Sequence, residues 1–117
     1  MEFALSEQST TRAGAGTGAT VTIPVVTVDQ YCRDHALEPD LIKLDVEGSE
    51  LAVLQGARET IVARQPAFAC SAYHRAEDLA LLAEALRTMA PEYTFHLRAY
   101  SGTLIDTVLY AEVPQAR

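Results

Sequence analysis

Strand-like and helix-like segments alternate along this chain from Val21 onward, and that alternation limits the possible folds more than any single motif does. Val21 to Val26 (VTIPVV) is β-branched and reads as a strand, with Pro24 confining it to an edge or a strand end. Thr27-Val28-Asp29-Gln30 fits a capping box, so a helix should run from there to about Ala36, with Pro39 marking the exit. Leu41 to Val46 (LIKLDV) is a short, nearly continuous apolar run interrupted by Lys43 and Asp45, as expected of a central parallel strand. After Gly48 turns the chain, Ser49 can cap a helix and Glu50 can complement its dipole, and Leu51, Leu54 and Ile61 keep helical spacing until Pro66. Gly56 inside that helix suggests close packing on a sheet. Ala67 to Tyr73 reads as a buried strand, and Glu77 and Asp78 open a third helix with Leu79, Leu82, Leu86 and Met89 on one face. Tyr93 to Tyr100 and Thr107 to Val113 are the last two strands, joined by a Ser101-Gly102 turn. This order predicts an α/β fold: a mostly parallel sheet, helices covering its faces, and a C-terminal antiparallel hairpin.

The 117 residues suffice for one small domain that buries roughly two-thirds of its extended-chain surface. A net charge of −7 with only nine Lys and Arg argues against a nucleic-acid or anionic-membrane surface, because counterion release needs clustered cations. No apolar run approaches the roughly 20 residues of a membrane span, and Met1 to Leu5 lacks the regions of a signal peptide. Cys32 and Cys70 lie far apart in apolar periodic segments, so both are expected to be reduced, buried thiols of a cytoplasmic protein.

Residues 6–20 are small, polar and Gly-rich, and residues 1–20 are expected to be a flexible arm. Gly14, Gly16 and Gly18 resemble a nucleotide-binding loop, but that chemistry needs a strand before the glycines and a helix after them. Neither is present, which favours a linker.

Asp45 and Glu47 follow the apolar Leu41 to Val46 run at the carboxyl end of a strand, where open parallel sheets place their ligand crevice. Two apart on a strand they would share a face and could accept protons; equally, Asp45 could cap the turn while Glu47 or Glu50 sits at a helix N-terminus. His74, with Arg75 beside it, ends the next strand. If the two strands are neighbours, the imidazole and the two carboxylates form a base or a weak metal site, although no metal-ligand spacing stands out and no metal is assigned. A hydrogen-bonded turn histidine fits the same position. Arg98, Tyr100 and Ser101 end a further strand at that edge, where Arg98 could clamp an anionic group or form a surface ion pair.

At these residues the chain resembles the FkbM family of S-adenosylmethionine-dependent methyltransferases. The matching pieces run in family order: Val26-Thr27-Val28-Asp29-Gln30-Tyr31, Asp40 through Glu50 (DLIKLDVEGSE), Leu54-Gln55-Gly56-Ala57, Tyr73 through Leu79 (YHRAEDL), Leu97-Arg98, and Thr107-Val108-Leu109-Tyr110. Phe3-Ala4-Leu5-Ser6 is similar to the tail of the family's third strand, whereas Ala99 stands where relatives of this subgroup tend to have His. The resemblance implies a partial class I methyltransferase (Rossmann-like) sheet. Residues 21–117 would form its C-terminal half, and the strand, Gly-rich loop and acidic strand end that bind cofactor would precede Met1.

The implied activity is methyl transfer from S-adenosylmethionine to a hydroxyl of a small molecule or sugar. Asp45, Glu47 and His74 would lie near the acceptor with one of them as general base, Arg75, Arg98 and Tyr100 would contact substrate, and no residue of this chain is assigned to the cofactor. The alternative is a non-catalytic, truncated domain that only folds and dimerises. With the first strand missing, Leu41 to Val46 becomes an exposed apolar edge, which predicts a homodimer through that edge or through the N-terminal arm.

Overall fold

The computed structural model describes residues 9–13 and 21–114. β1 (Ser9–Ala13) and β2 (Val21–Val25) form a two-stranded antiparallel ladder that pairs Ser9 with Val25 and Ala13 with Val21. Within the segment expected as a flexible arm, residues 9–13 are thus a strand, since a β-branched partner supplies their backbone hydrogen bonds, while the rest of residues 1–20 lies outside the described residues. Pro24 is accommodated because a two-stranded ladder consists only of edges. Gly14, Gly16, Gly18 and the Phe3 to Ser6 segment lie outside the described residues.

Helix α1 (Val28–His35) starts as its sequence demands, with Thr27 Oγ1 accepting from the Gln30 amide at 3.1 Å. The capping box closes from one side only, since the Gln30 side chain turns to Asp34 at 2.8 and 2.9 Å. The helix expected from Ser49 to Pro66 is two short helices, α2 (Glu50–Gln55) and α3 (Arg58–Arg64), broken at Gly56 and Ala57. Asp29 holds the break. Its carboxylate accepts from the Glu59 amide (3.0 Å), the Thr60 amide (2.8 Å) and the Thr60 hydroxyl (2.7 Å), capping α3 where Ala57 has no side chain able to do so. Its own amide donates to the Gly56 carbonyl at 3.0 Å. A Cβ on Gly56 would lie 3.2 Å from both Cβ and Cγ2 of Thr27, so this glycine admits the start of α1 rather than a sheet.

The main sheet contains β3 (Leu41–Leu44), β4 (Ala67–Ser71), β5 (Thr94–Ala99) and β6 (Thr107–Glu112) in the order β3-β4-β6-β5. Three strands point the same way, but β6 runs antiparallel between β4 and β5, so β3 with β4 is the single parallel pair among the described residues. The sheet is therefore mixed by pairing rather than mostly parallel. Its register places Ile42, Leu44, Phe68, Cys70, Leu109, Ala111 and Phe95 on one face. There they join Leu54 of α2, Ile61 of α3, and Leu82 and Leu86 of α4 (Asp78–Met89) in one core. Tyr93 closes the core's lower end, its hydroxyl donating to the Pro66 carbonyl at 2.6 Å. The other face carries Lys43, Ala69, Val108 and Tyr110, which are half-buried or exposed, so among the described residues the core covers one face and not both. Among the described residues β3 is an edge strand, with Leu41 62% exposed.

Both cysteines are free; Cys70 is buried as expected, while Cys32 is only half-buried. No helix among the described residues is long and apolar enough to cross a membrane.

Candidate active site

Parallel pairing of β3 with β4 brings the segments that leave their carboxyl ends side by side. β3 ends at Leu44, so Asp45 and Glu47 do not share a strand face as expected; a turn gathers them instead. The Ser49 amide donates to the Val46 carbonyl at 3.2 Å, and the two central residues, Glu47 (φ 53) and Gly48 (φ 90), both have positive φ. That is the signature of a type I′ turn, and Gly48 occupies the position that side chains adopt least readily. Arg75 lies against it, with Nε 3.3 Å from where a Gly48 Cβ would stand.

The turn carries Glu50 back under itself. The Glu50 side chain is 1% exposed, and its Oε1 accepts from the Val46 amide at 3.0 Å. Ser49 makes no capping bond, so the carboxylate of Glu50, not the hydroxyl of Ser49, organises the start of α2.

His74 enters from the loop after β4, its side chain 10% exposed, and stands among these groups. Its Nδ1 lies 3.0 Å from Glu50 Oε1 on the buried side. On the open side Nε2 lies 3.5 Å from Glu47 Oε2 and 3.8 Å from Asp45 Oδ1. None of these approaches is aligned as a hydrogen bond, and both ring nitrogens and Glu50 Oε2 are buried without a partner among the described residues. The other oxygen of Asp45 faces Lys43 Nζ at 3.7 Å. Behind the ring, buried Asp78 accepts from the Arg75 amide at 2.7 Å and fixes the loop that presents His74.

Of the residues expected from the sequence, Asp45, Glu47 and His74 meet, and Arg75 borders their turn. Arg98 and Tyr100 lie on and just after β5, which β6 and β4 separate from β3; their own contact is mutual, with the Arg98 guanidinium 5.1 Å from the Tyr100 ring centroid. Tyr100 also shares a hydrogen bond with the Tyr110 hydroxyl, and this contact pushes the Tyr110 phenol up.

Two participants escaped the sequence reading. Glu50 looks like an ordinary acidic residue at a helix start, and only its place two residues after a Glu-Gly turn hints that it folds inward. Tyr73 packs its ring 4.2 Å from that of His74, and its phenol is pushed up by desolvation, then by the charges of Asp45, Glu47 and Asp106.

The arrangement can hold a proton, a polar acceptor or a cation at the open side of one imidazole, with a buried carboxylate behind the ring. Comparison with known proteins places it in a family. The Methyltransferase FkbM domain matches residues 3–100. The fold is similar to the crystal structure of Methyltransferase FkbM from Methylobacillus flagellatus KT, with 35% identity and a TM-score of 0.71. That likeness covers 91% of this chain but 26% of that protein, so the chain spans about a quarter of its relative. No curated protein sequence matches. With the domain matched across the whole Asp45, Glu47 and His74 constellation, the chain belongs to the FkbM methyltransferase family.

Proposed function

We propose that this chain carries the acceptor side of an S-adenosylmethionine-dependent methyl transfer to a hydroxyl of a small molecule or sugar, and that its sheet is the C-terminal half of a class I methyltransferase sheet. The observation that carries this reading is the His74 imidazole, nine-tenths buried, with Nε2 between Asp45 and Glu47 and Nδ1 against Glu50. An acceptor hydroxyl placed at this mouth would give up its proton to the cluster. Glu50 stands 3.0 Å from Nδ1, which leaves Nε2 toward Asp45 and Glu47, and these two carboxylates would attract and orient the O–H. Arg75, across Gly48, would contact the acceptor from the side.

The turn between β3 and α2 offers no cradle for the methyl donor. Its Gly48 is covered by Arg75, and the Val46 amide beside it is taken by Glu50. The reading therefore assigns the donor to residues outside those described, and this also favours a second reading, a domain that folds and dimerises without catalysis.

Calorimetric titration with S-adenosylhomocysteine separates the two. The chain alone should not bind, whereas a chimera in which it replaces the matching segment of the Methylobacillus flagellatus relative should bind at micromolar affinity. A folded chimera that binds nothing would leave only the non-catalytic reading.

A further inference from the structure

We propose that Asp45, Glu47 and His74 hold a divalent transition-metal ion at the carboxyl ends of β3 and β4. This deepens the methyl-transfer reading by giving its acceptor site an electrophile, but the site itself rests on geometry alone.

One carboxylate oxygen each of Asp45 and Glu47 and one ring nitrogen of His74 lie within 4.8 Å of one another. Nε2 is 3.5 Å from the first carboxylate met along its open side, that of Glu47, and 3.8 Å from that of Asp45. Ligands about 2.0–2.2 Å from a common ion stand roughly 3.0–3.5 Å apart, so the Glu47 oxygen already stands at that spacing from Nε2 and the Asp45 oxygen a few tenths of an ångström beyond it, and both exposed carboxylates can turn to close the set. The independent pointer is His74: its ring is 10% exposed and both nitrogens lack a hydrogen-bond partner, an arrangement that burial penalises unless something occupies the open side.

The groups around the ring fit an ion at Nε2 better than one at Nδ1. Glu50, His74 and Asp78 also converge within 4.8 Å, yet Glu50 and Asp78 each already accept a backbone amide inside the core. At Nδ1, Glu50 stands where a metal-bound histidine usually meets its outer carboxylate, which fixes the ring and raises its donor strength. Asp45 and Glu47 are 41% and 87% exposed, so the ion would have an entry path and open positions for an acceptor oxygen. One imidazole with two carboxylates suits Mn²⁺, Co²⁺ or Zn²⁺ better than Ca²⁺. Lys43 on the far oxygen of Asp45, and Arg75 beside the turn, offset part of the negative charge without occupying the mouth. With their facing atoms on the ion, these three side chains would no longer serve as the base; the ion would instead supply the acidity, lowering the pKa of a hydroxyl beside it so that solvent water could take the proton.

The test is titration of the full 117-residue chain with Mn²⁺, following the free-ion electron paramagnetic resonance signal. One ion should bind per chain. Glu47→Gln should weaken binding at least tenfold, His74→Ala should abolish it, and Glu50→Gln should weaken it about tenfold through the ring. Glu84→Gln, on the exposed side of α4, should change nothing. Because Glu47 is exposed, its variant keeps the fold and keeps the test decisive even if His74→Ala does not. No binding at millimolar Mn²⁺, or binding that Glu47→Gln leaves unchanged, overturns the proposal. A chimera that still binds S-adenosylhomocysteine in the absence of metal would then preserve the methyltransferase reading while the ion is lost.

Discussion

Cys70, on the core face of β4, is pushed from an ordinary 9.0 up to about 12, first by burial and then by the charge of Glu50. Tyr93 is pushed from 10.0 to about 12 by burial and by Cys70. Both groups are neutral when protonated, so the folded chain holds these protons to a higher pH than the unfolded chain does. Between the unfolded and folded values the unfolded state binds fewer protons, and stability falls as pH rises. Thermal melts should therefore show a loss beginning near pH 9 and steepening above 10, at most about 1.4 kcal/mol per pH unit for each group. Cys70→Ala should remove the part between 9 and 10 and at least halve the slope above 10, where Tyr93 alone remains; an unchanged profile in that variant would refute the assignment. Legibility at this scale was uneven. Asp45, Glu47 and His74 could be singled out because polar residues at the ends of apolar runs carry their own signal. Glu50 could not, since its inward direction depends on two consecutive positive φ angles that no residue but Gly48 announces.

At the scale of elements, the sequence conveyed where helices start better than where they break. Thr27 capped α1 as expected, whereas a continuous helical period from Leu51 to Ile61 concealed the interruption at Gly56 and Ala57. The cause is tertiary: Asp29, distant in sequence, offers α3 three acceptor contacts and draws Gly56 against Thr27. Asp29→Ala should then cost about 1–2 kcal/mol, more than its half-buried place in the first turn of α1 would suggest, because it uncaps a second helix. Asp29→Asn, which keeps one acceptor oxygen, should recover much of that loss. Urea unfolding of the two variants checks this, and equal losses would mean that helix α1 alone feels the carboxylate.

At the scale of the whole molecule, the alternating pattern located the strands from β2 onward and the helical stretches between them but could not reveal the order β3-β4-β6-β5, because β6 inserts between two strands that precede it in the chain. That order leaves β3 at the edge with Leu41 exposed at 62% and Val46 at 38%, beside a sheet face that the core does not cover. An apolar, unpaired edge is a template for another strand. We propose a second copy of the chain as its partner, paired edge to edge about a two-fold axis so that the same strand serves both sides. Lys43, exposed at 71%, is the one charge within β3 and would tilt this balance toward the monomer unless it keeps its contact with Asp45. Sedimentation equilibrium at micromolar concentration should return twice the chain mass, and Leu41→Glu should return the single mass by placing a second charge on the edge. Since Leu41 lies outside the core, this variant should melt at a similar temperature when dilute. A wild-type chain that sediments as a monomer would refute the edge-to-edge dimer.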